Sequence, residues 1–335
     1  MSEAESYPDI LTDSFGRRHT YLRISLTERC NLRCTYCMPA EGVDLKPREH
    51  ILSFEEIMRL ASLLVHHGVT KIRLTGGEPL IRKELVQLVE KLRALDGLEE
   101  LTITTNGLLL PRKLQELKAA GITGFNISLD TLREDRFKEI TRRPGLDTVL
   151  ESIHMTVDAG YDPVKVNCVV IRGFNEDELV DFVAMTESLP VDIRFIEYMP
   201  FDGNTWNTDA FFPYRDMVER IQQRWPDFAS LGGDGSEIAK PWRVPGYQGT
   251  VGFISSMSDH FCAGCNRIRI TADGKLKVCL FGANEVNLRD MMRAGINDER
   301  LLETVQQALS RKAARHAGMD VLARTENRPM ILIGG

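Results

Sequence analysis

Nowhere in the 335 residues does an apolar run reach the length that a bilayer core needs, and the opening stretch MSEAESYPDILTDSFGRRHTYLRI lacks the basic start and apolar segment of a secretory signal. The expectation is a soluble, cytoplasmic chain. Positive charge is in deficit too: 42 Lys plus Arg against 48 Asp plus Glu argue against a protein that coats nucleic acid or an anionic membrane. There is no GxxxxGKS or GxxxxGKT run, which disfavours phosphate binding and hydrolysis by a P-loop. Seven cysteines cannot all pair, and six of them fall in two tight groups instead of spreading out as a disulfide framework would. With 43% hydrophobic residues the chain has enough apolar material for a core and about two domains.

What the sequence does contain is a rhythm. From Tyr21 to Met199, short β-branched runs alternate with loops and with ten to fifteen residues of helical apolar spacing. The spacing predicts six strands: Tyr21 to Leu26, Lys71 to Thr75, Leu101 to Thr105, Gly124 to Leu129, Val164 to Ile171 and Asp192 to Met199. Between them Ser53 and Glu56 form a capping box, Pro111 suits a first helical turn, and Gly121 and Gly160 fall where helices end. Alternation of this kind makes a parallel sheet, either open or most of a barrel, with ligand chemistry at the C-terminal strand ends. Beyond about Pro200 the alternation stops, leaving one helix around Phe212 to Arg224 and Pro- and Gly-rich turns, so a domain change is expected there, with parts 1–200 and 201–335.

The first cysteine group, Cys30-Asn-Leu-Arg-Cys34-Thr-Tyr-Cys37, follows the first strand. Three thiols within eight residues can converge on one small object. A tetrahedral zinc site would need a fourth ligand, for which His50 is the nearby candidate; three thiolates with an open position suit an iron-sulfur cluster better. The second group, Cys262-Ala-Gly-Cys265 with Cys279, brackets a hairpin whose turn is Asp273-Gly274, and His260 competes as a fourth zinc ligand there. Cys168 stands alone on a strand, where a small buried hydrophobe is the ordinary role. Arg23, Arg73, Lys165, Arg194, Arg267 and Arg269 all fall on predicted strands. Cations in strands that enter a buried sheet fit a polyanion such as a nucleoside triphosphate, whose oxygens guanidiniums can take in pairs.

The CxxxCxxC loop, followed by Gly76-Gly77-Glu78-Pro79 after the second strand, resembles the radical S-adenosylmethionine (SAM) enzymes. Cys265-Asn-Arg-Ile-Arg269 and the second cysteine group narrow that resemblance to the GTP 3′,8-cyclase family, over nearly the whole chain. The resemblance implies a partial (β/α)6 barrel of the radical SAM type with a smaller C-terminal α+β region. It implies two [4Fe-4S] clusters, held by Cys30, Cys34 and Cys37 and by Cys262, Cys265 and Cys279. It places SAM at Tyr36, Gly77, Ser128 and Met199. GTP falls to Arg23, Arg73, Thr104, Lys165, Arg194, Arg267, Ile268 and Arg269. An adenosyl radical would take hydrogen from ribose C3′, and C3′ would attack guanine C8, the opening step of molybdenum cofactor biosynthesis. The family also ends in a double glycine thought to assist radical initiation, here Gly334 and Gly335, after an apolar MILI run that could dock the tail. Implied partners are a flavodoxin- or ferredoxin-type electron donor, a downstream cyclic pyranopterin monophosphate synthase and a second copy of the chain. Two rival readings are a peptide-modifying radical enzyme and a zinc-binding interaction protein.

Overall fold

The computed structural model describes residues 10–202, 204, 206–233, 238–282, 284–325 and 327–334. The six expected strands are present as β1 (Tyr21–Ser25), β2 (Lys71–Thr75), β3 (Glu100–Thr105), β4 (Gly124–Ser128), β5 (Val164–Val170) and β6 (Val191–Glu197). Between them run α1 (Phe54–His66), α2 (Leu85–Arg93), α3 (Leu110–Ala119), α4 (Glu134–Thr141), α5 (Leu146–Asp158) and α6 (Leu179–Met185). The punctuation works as its chemistry requires. Ser53 Oγ accepts from the Glu56 amide at 3.2 Å, while the Glu56 carboxylate accepts from the Ser53 amide at 2.8 Å. Pro111 lies in the first turn of α3, and Gly121 and Gly160 adopt positive φ just past α3 and α5.

After Pro200 come α7 (Tyr214–Arg224), β7 (Ala229–Ser230), β8 (Lys240–Arg243), β9 (Thr250–Ile254), β10 (Arg267–Ile270), β11 (Lys275–Lys277) and β12 (Val286–Asn287). The helices α8 (Leu288–Arg293), α9 (Asp298–Ser310), α10 (Met319–Leu322) and α11 (Met330–Ile333) complete the described chain. The helix expected from Phe212 begins two residues later, because Pro213 caps it and holds extended backbone before it.

The strands form one open sheet in the order β12-β11-β10-β1-β2-β3-β4-β5-β6-β9-β8-β7. β10 pairs parallel to β1 and β9 parallel to β6, so both edges of the six-stranded core are extended by strands from beyond residue 200. The two expected parts therefore share a sheet, although the helix-strand alternation does stop where the sequence says it should. Among the described residues no β9–β10 pairing closes the sheet. No helix among the described residues is long and apolar enough to cross a membrane.

Alternation along the strands divides the sheet into two faces. One face carries Leu22, Ile24, Ile72, Leu74, Ile103, Phe125, Ile127, Val166 and Phe195, all at 1% exposure or less, against the helices. Each such side chain contributes about 1.5–3 kcal/mol of burial, which fixes strand register, since a one-residue slip would turn the whole set inside out. Cys168 belongs to this face and sits in the core at 2% exposure. The other face carries the arginines.

Candidate active site

The first cysteine group lies in the loop after β1, and all seven cysteines are free. The amides of Cys37 and Met38 both donate to the Cys34 carbonyl, at 3.0 and 2.9 Å, which coils the loop and gathers the thiols. Cys30 Sγ accepts from the Leu32 amide at 3.4 Å and from Asn106 Nδ2 at 3.8 Å, and the Ile331 amide donates to Cys37. Burial, reinforced by the neighbouring thiols and Asp130, pushes Cys37 up to about 12 and Cys34 well above the ordinary thiol value. Burial opposes ionisation of all three thiols, most strongly at Cys34 and Cys37, so an added positive charge is needed to make them thiolates, and iron bound among them would supply it. The donor set therefore fits an iron-sulfur cluster with one iron left open. His50, the fourth zinc ligand considered, is exposed.

Gly76 and Gly77 press against that loop. The Gly77 amide donates to Thr27 O and the Glu78 amide to Arg29 O, both at 2.8 Å. A Cβ on Gly77 would stand 2.2 Å from Arg29 O, and one on Gly76 2.6 Å from Thr27 O, so two residues without side chains are required for this approach. The Gly77 amide is thus engaged by the protein, and Gly77 does not line the cavity described below; its expected contact with a cofactor is left to the rest of its backbone. Glu78 is fully enclosed and accepts from the Leu80 and Asn106 amides and from the Thr105 hydroxyl at 2.8–3.0 Å. Burial outweighs these hydrogen bonds and lifts its carboxyl to about 7.

The polar face of the sheet opens on a cavity. Its wall includes Arg23, Arg73, Arg194, Arg267 and Arg269, together with Thr104, Tyr36, Ser128 and Met199. Register explains the gathering: Arg23 pairs with Arg73 on one side and Arg269 on the other, and Arg73 in turn with Thr102. Lys165 is one inward position below Asn167 on β5, beside Arg194 and Arg73, and is not part of the wall. Ile268 departs from expectation. Flanked by two inward arginines, its side chain turns the other way into the core, at 0% exposure, so only its backbone can meet a ligand.

Few carboxylates balance these cations; Asp192 takes Arg194 at 2.7 Å. Burial first, then Arg23 and Arg267, holds Arg269 well below the usual guanidinium value. Burial and the nearby arginines bring Arg73 down to about 10 and Lys165 to about 8. Several buried donors and acceptors on or beside the wall have no protein partner: Arg23 Nε, Arg269 Nη1, Thr104 Oγ1, Asn167 Oδ1 and both polar atoms of Asn126. Each such group costs about 1–3 kcal/mol unless something fills it. Asn126 and Asn167 are absent from the sequence reading, yet the alternation that marks the arginines marks them too, as polar residues on otherwise apolar strands.

The second cysteine group borders the same space. Cys262, Cys265 and Cys279 line an adjoining cavity that shares Ser256, Phe261, Arg267, Arg269 and Leu280 with the first. Cys265 lies just before β10, and Cys279 just after β11, which returns antiparallel to it. Cys30 lies beyond the opposite end of β1, so the two groups flank the cavity. Burial would raise the Cys265 thiol, but Arg267 and Lys312 overcome it and hold it at about 6. Three cysteines beside an open, cation-lined cavity fit a second cluster as they fit the first. His260 is exposed, with its ring 5.2 Å from that of His316. Among the described residues no three His, Cys, Asp or Glu side chains are set around a single metal ion.

The tail reaches in from the side. Ile333 packs with Met199 and Phe201, and Met330 lines the main cavity. Gly334 has φ +82°, and a Cβ there would stand 2.7 Å from Thr75 Cγ2 and 3.2 Å from Ser25 Cβ. Arg328 anchors this segment on Asp273, at 3.0 and 3.2 Å, and on Glu285, at 2.7 Å. Gly335 lies outside the described residues.

Residues 24–186 match the Radical SAM superfamily, and residues 191–318 match Molybdenum Cofactor Synthesis C. The chain is 57% identical over 334 residues to "Molybdenum cofactor biosynthesis protein 1" of Mus musculus, covering 100% of this chain and 52% of that protein. It is 54% identical to "GTP 3′,8-cyclase, mitochondrial" of Arabidopsis thaliana, covering 98% of this chain and 84% of that one. It is 46% identical to "GTP 3′,8-cyclase" of Moorella thermoacetica, covering 91% and 95%. The chain spans about half the length of the animal relatives. Among solved structures, Streptococcus suis SuiB bound to S-adenosylmethionine superposes with a TM-score of 0.63 at 14% identity, covering 94% of this chain and 77% of that one, a likeness of fold alone.

Proposed function

The chain belongs to the GTP 3′,8-cyclase family, and on that premise we propose that it converts GTP to 3′,8-cyclo-7,8-dihydro-GTP, the first step towards molybdenum cofactor. The observation that carries the proposal is the cavity wall. It sets five arginines and unpartnered Asn and Thr side chains in the same space as Tyr36, Ser128 and Met199.

Cys30, Cys34 and Cys37 would hold a cluster that supplies the electron for SAM cleavage; the adenosyl radical so formed would take hydrogen from ribose C3′, C3′ would bond to guanine C8, and a second electron and a proton from the external reductant and solvent would give the 7,8-dihydro product. Tyr36, Ser128, Met199 and the backbone at Gly77 hold SAM. Arg23, Arg73, Lys165, Arg194, Arg267 and Arg269 neutralise the triphosphate, with the Ile268 backbone between the last two. Thr104, Asn126 and Asn167 lie between those cations and Ser128, where the ribose hydroxyls would satisfy them. Cys262, Cys265 and Cys279 would hold a second cluster, which would supply a binding position for the guanine base. Gly334 and Gly335 complete the radical site, and the chemistry divides near residue 200, with SAM cleavage before it and base recognition after. A flavodoxin- or ferredoxin-type donor, a cyclic pyranopterin monophosphate synthase downstream, a homodimeric state and a cytoplasmic location complete the reading.

The test is anaerobic reconstitution followed by incubation with reductant, SAM and each nucleoside triphosphate in turn. Stoichiometric 5′-deoxyadenosine and a cyclised nucleotide with GTP alone are expected. Equal cleavage with every nucleotide, or one bound zinc and no sulfide, would overturn the proposal.

A further inference from the structure

Lys312 follows α9 and is buried at 5% exposure although it carries an ammonium, a residue type that is almost never enclosed without partners. It has three: His19 at 2.8 Å, the Arg267 carbonyl at 3.2 Å and Cys265 Sγ at 3.3 Å. An ammonium has three hydrogens, so these acceptors use all of them. The His19 tautomer follows from its neighbours. Its Nδ1 meets the Leu11 carbonyl at 2.9 Å, and a carbonyl only accepts, so Nδ1 carries the proton and Nε2 presents its lone pair to Lys312.

The surrounding segment is fastened to the same place a second time. Arg17 donates to the carbonyls of Cys262, Ala313 and Ala314 at 2.8–2.9 Å, and Asp13 holds Arg17 at 2.6 Å. Residues 11–19 thus clasp the second cysteine group and the chain just after Lys312. One of that group's three sulfurs receives a buried cation.

We infer that Lys312 is a positioning residue of the second cysteine site, an ammonium steadied by His19 against the Cys265 sulfur, and that it raises the reduction potential of a cluster bound there. Potentials of such clusters are set by net charge, hydrogen bonds to sulfur and solvent exposure; a buried N–H donor with a full positive charge acts through the first two. The inference rests on the proposal that Cys262, Cys265 and Cys279 hold a cluster.

The test uses the full chain with Cys30, Cys34 and Cys37 replaced by Ala, which confines iron to the second site. Redox titration followed by paramagnetic resonance compares this protein with the same protein carrying Lys312→Met or Lys312→Gln. Near the parent midpoint, Lys312→Met should lower the reduced-to-oxidised ratio about tenfold, which for one electron is about 59 mV. Lys312→Gln, which keeps N–H donors and loses the charge, should fall between, and His19→Ala should move the same way by less. Parent potentials in both Lys312 variants, with iron bound, would overturn the inference and leave the second cluster standing. Loss of iron from both variants at an unchanged Tm would mark a merely structural contact and overturn it as well. A triple-Ala protein that takes up no iron would remove the second cluster and this inference together.

Discussion

The Tyr36 hydroxyl donates to the Asp130 carboxylate across 2.8 Å, tying the first cysteine loop to the end of β4. The other Asp130 oxygen accepts from the Val169 amide at 2.9 Å. Burial still lifts Asp130 from 3.8 to about 6, so the folded state binds its proton more tightly than the unfolded state does. The protein therefore loses stability on this account as pH rises from about 4 to above 6. Tyr36→Phe keeps the ring and removes the donor, so it should destabilise more at pH 8 than at pH 5, by about 1 kcal/mol. Denaturant unfolding at the two pH values measures this. Equal effects at both would show that the hydroxyl does not serve the carboxylate.

Arg269 should show opposite signs in stability and in binding. Its guanidinium is buried beside Arg23 and Arg267 with Nη1 unpartnered, so Arg269→Ala should leave the nucleotide-free protein as stable as the parent or more so. The same change should weaken GTP binding by about 2–5 kcal/mol, because a phosphate charge would then be buried without its partner. Thermal unfolding and calorimetry read the two effects separately.

Asn126 carries two unpartnered polar atoms at 1% exposure. Asn126→Ala removes a buried amide that only a ligand can satisfy, so the cost should appear in GTP affinity, at about 1–3 kcal/mol, and not in the melting temperature. A fall in Tm with unchanged affinity would make Asn126 a packing residue.

Gly334→Ala adds a methyl 2.7 Å from Thr75 Cγ2 at a positive φ, and so should push the tail out of its seat between β1 and β2. Iron content and GTP affinity should stay within about twofold, while product formation falls at least about tenfold, one decade being about 1.4 kcal/mol in barrier. Arg328→Ala, which frees the same segment from Asp273 and Glu285, should give the same pattern in weaker form. Full turnover in both variants would assign the tail to packing alone.

Much of this molecule is written locally. The six strands agree with their expected bounds within about two residues, because alternating β-branched residues and helix caps act over a few positions. The six strand cations follow from the same period. Ile268 was drawn in by the Arg267-Ile-Arg269 motif, whereas alternation on the strand turns its side chain to the core. The clasp of Asp13, Arg17 and His19 on Cys262 and Lys312 could not be read, since its partners stand 245 to 297 residues apart and nothing local marks them. The joining of β9 and β10 to the sheet was hidden for the same reason: pairing partners of distant strands leave no spacing signature.

The pairing of β1 with β10 acts as a ruler. Cys265 stands below one end of this parallel, in-register pair and Cys30 above the other, so the interval between the two cysteine groups is counted in strand residues, at about 3.3 Å each. A single residue inserted in β1 would lengthen that interval by one step and rotate Arg23 away from Arg73 and Arg269. The gauge that sets how far apart the two cysteine groups stand is the same one that aims the side chains between them, so neither can drift without the other.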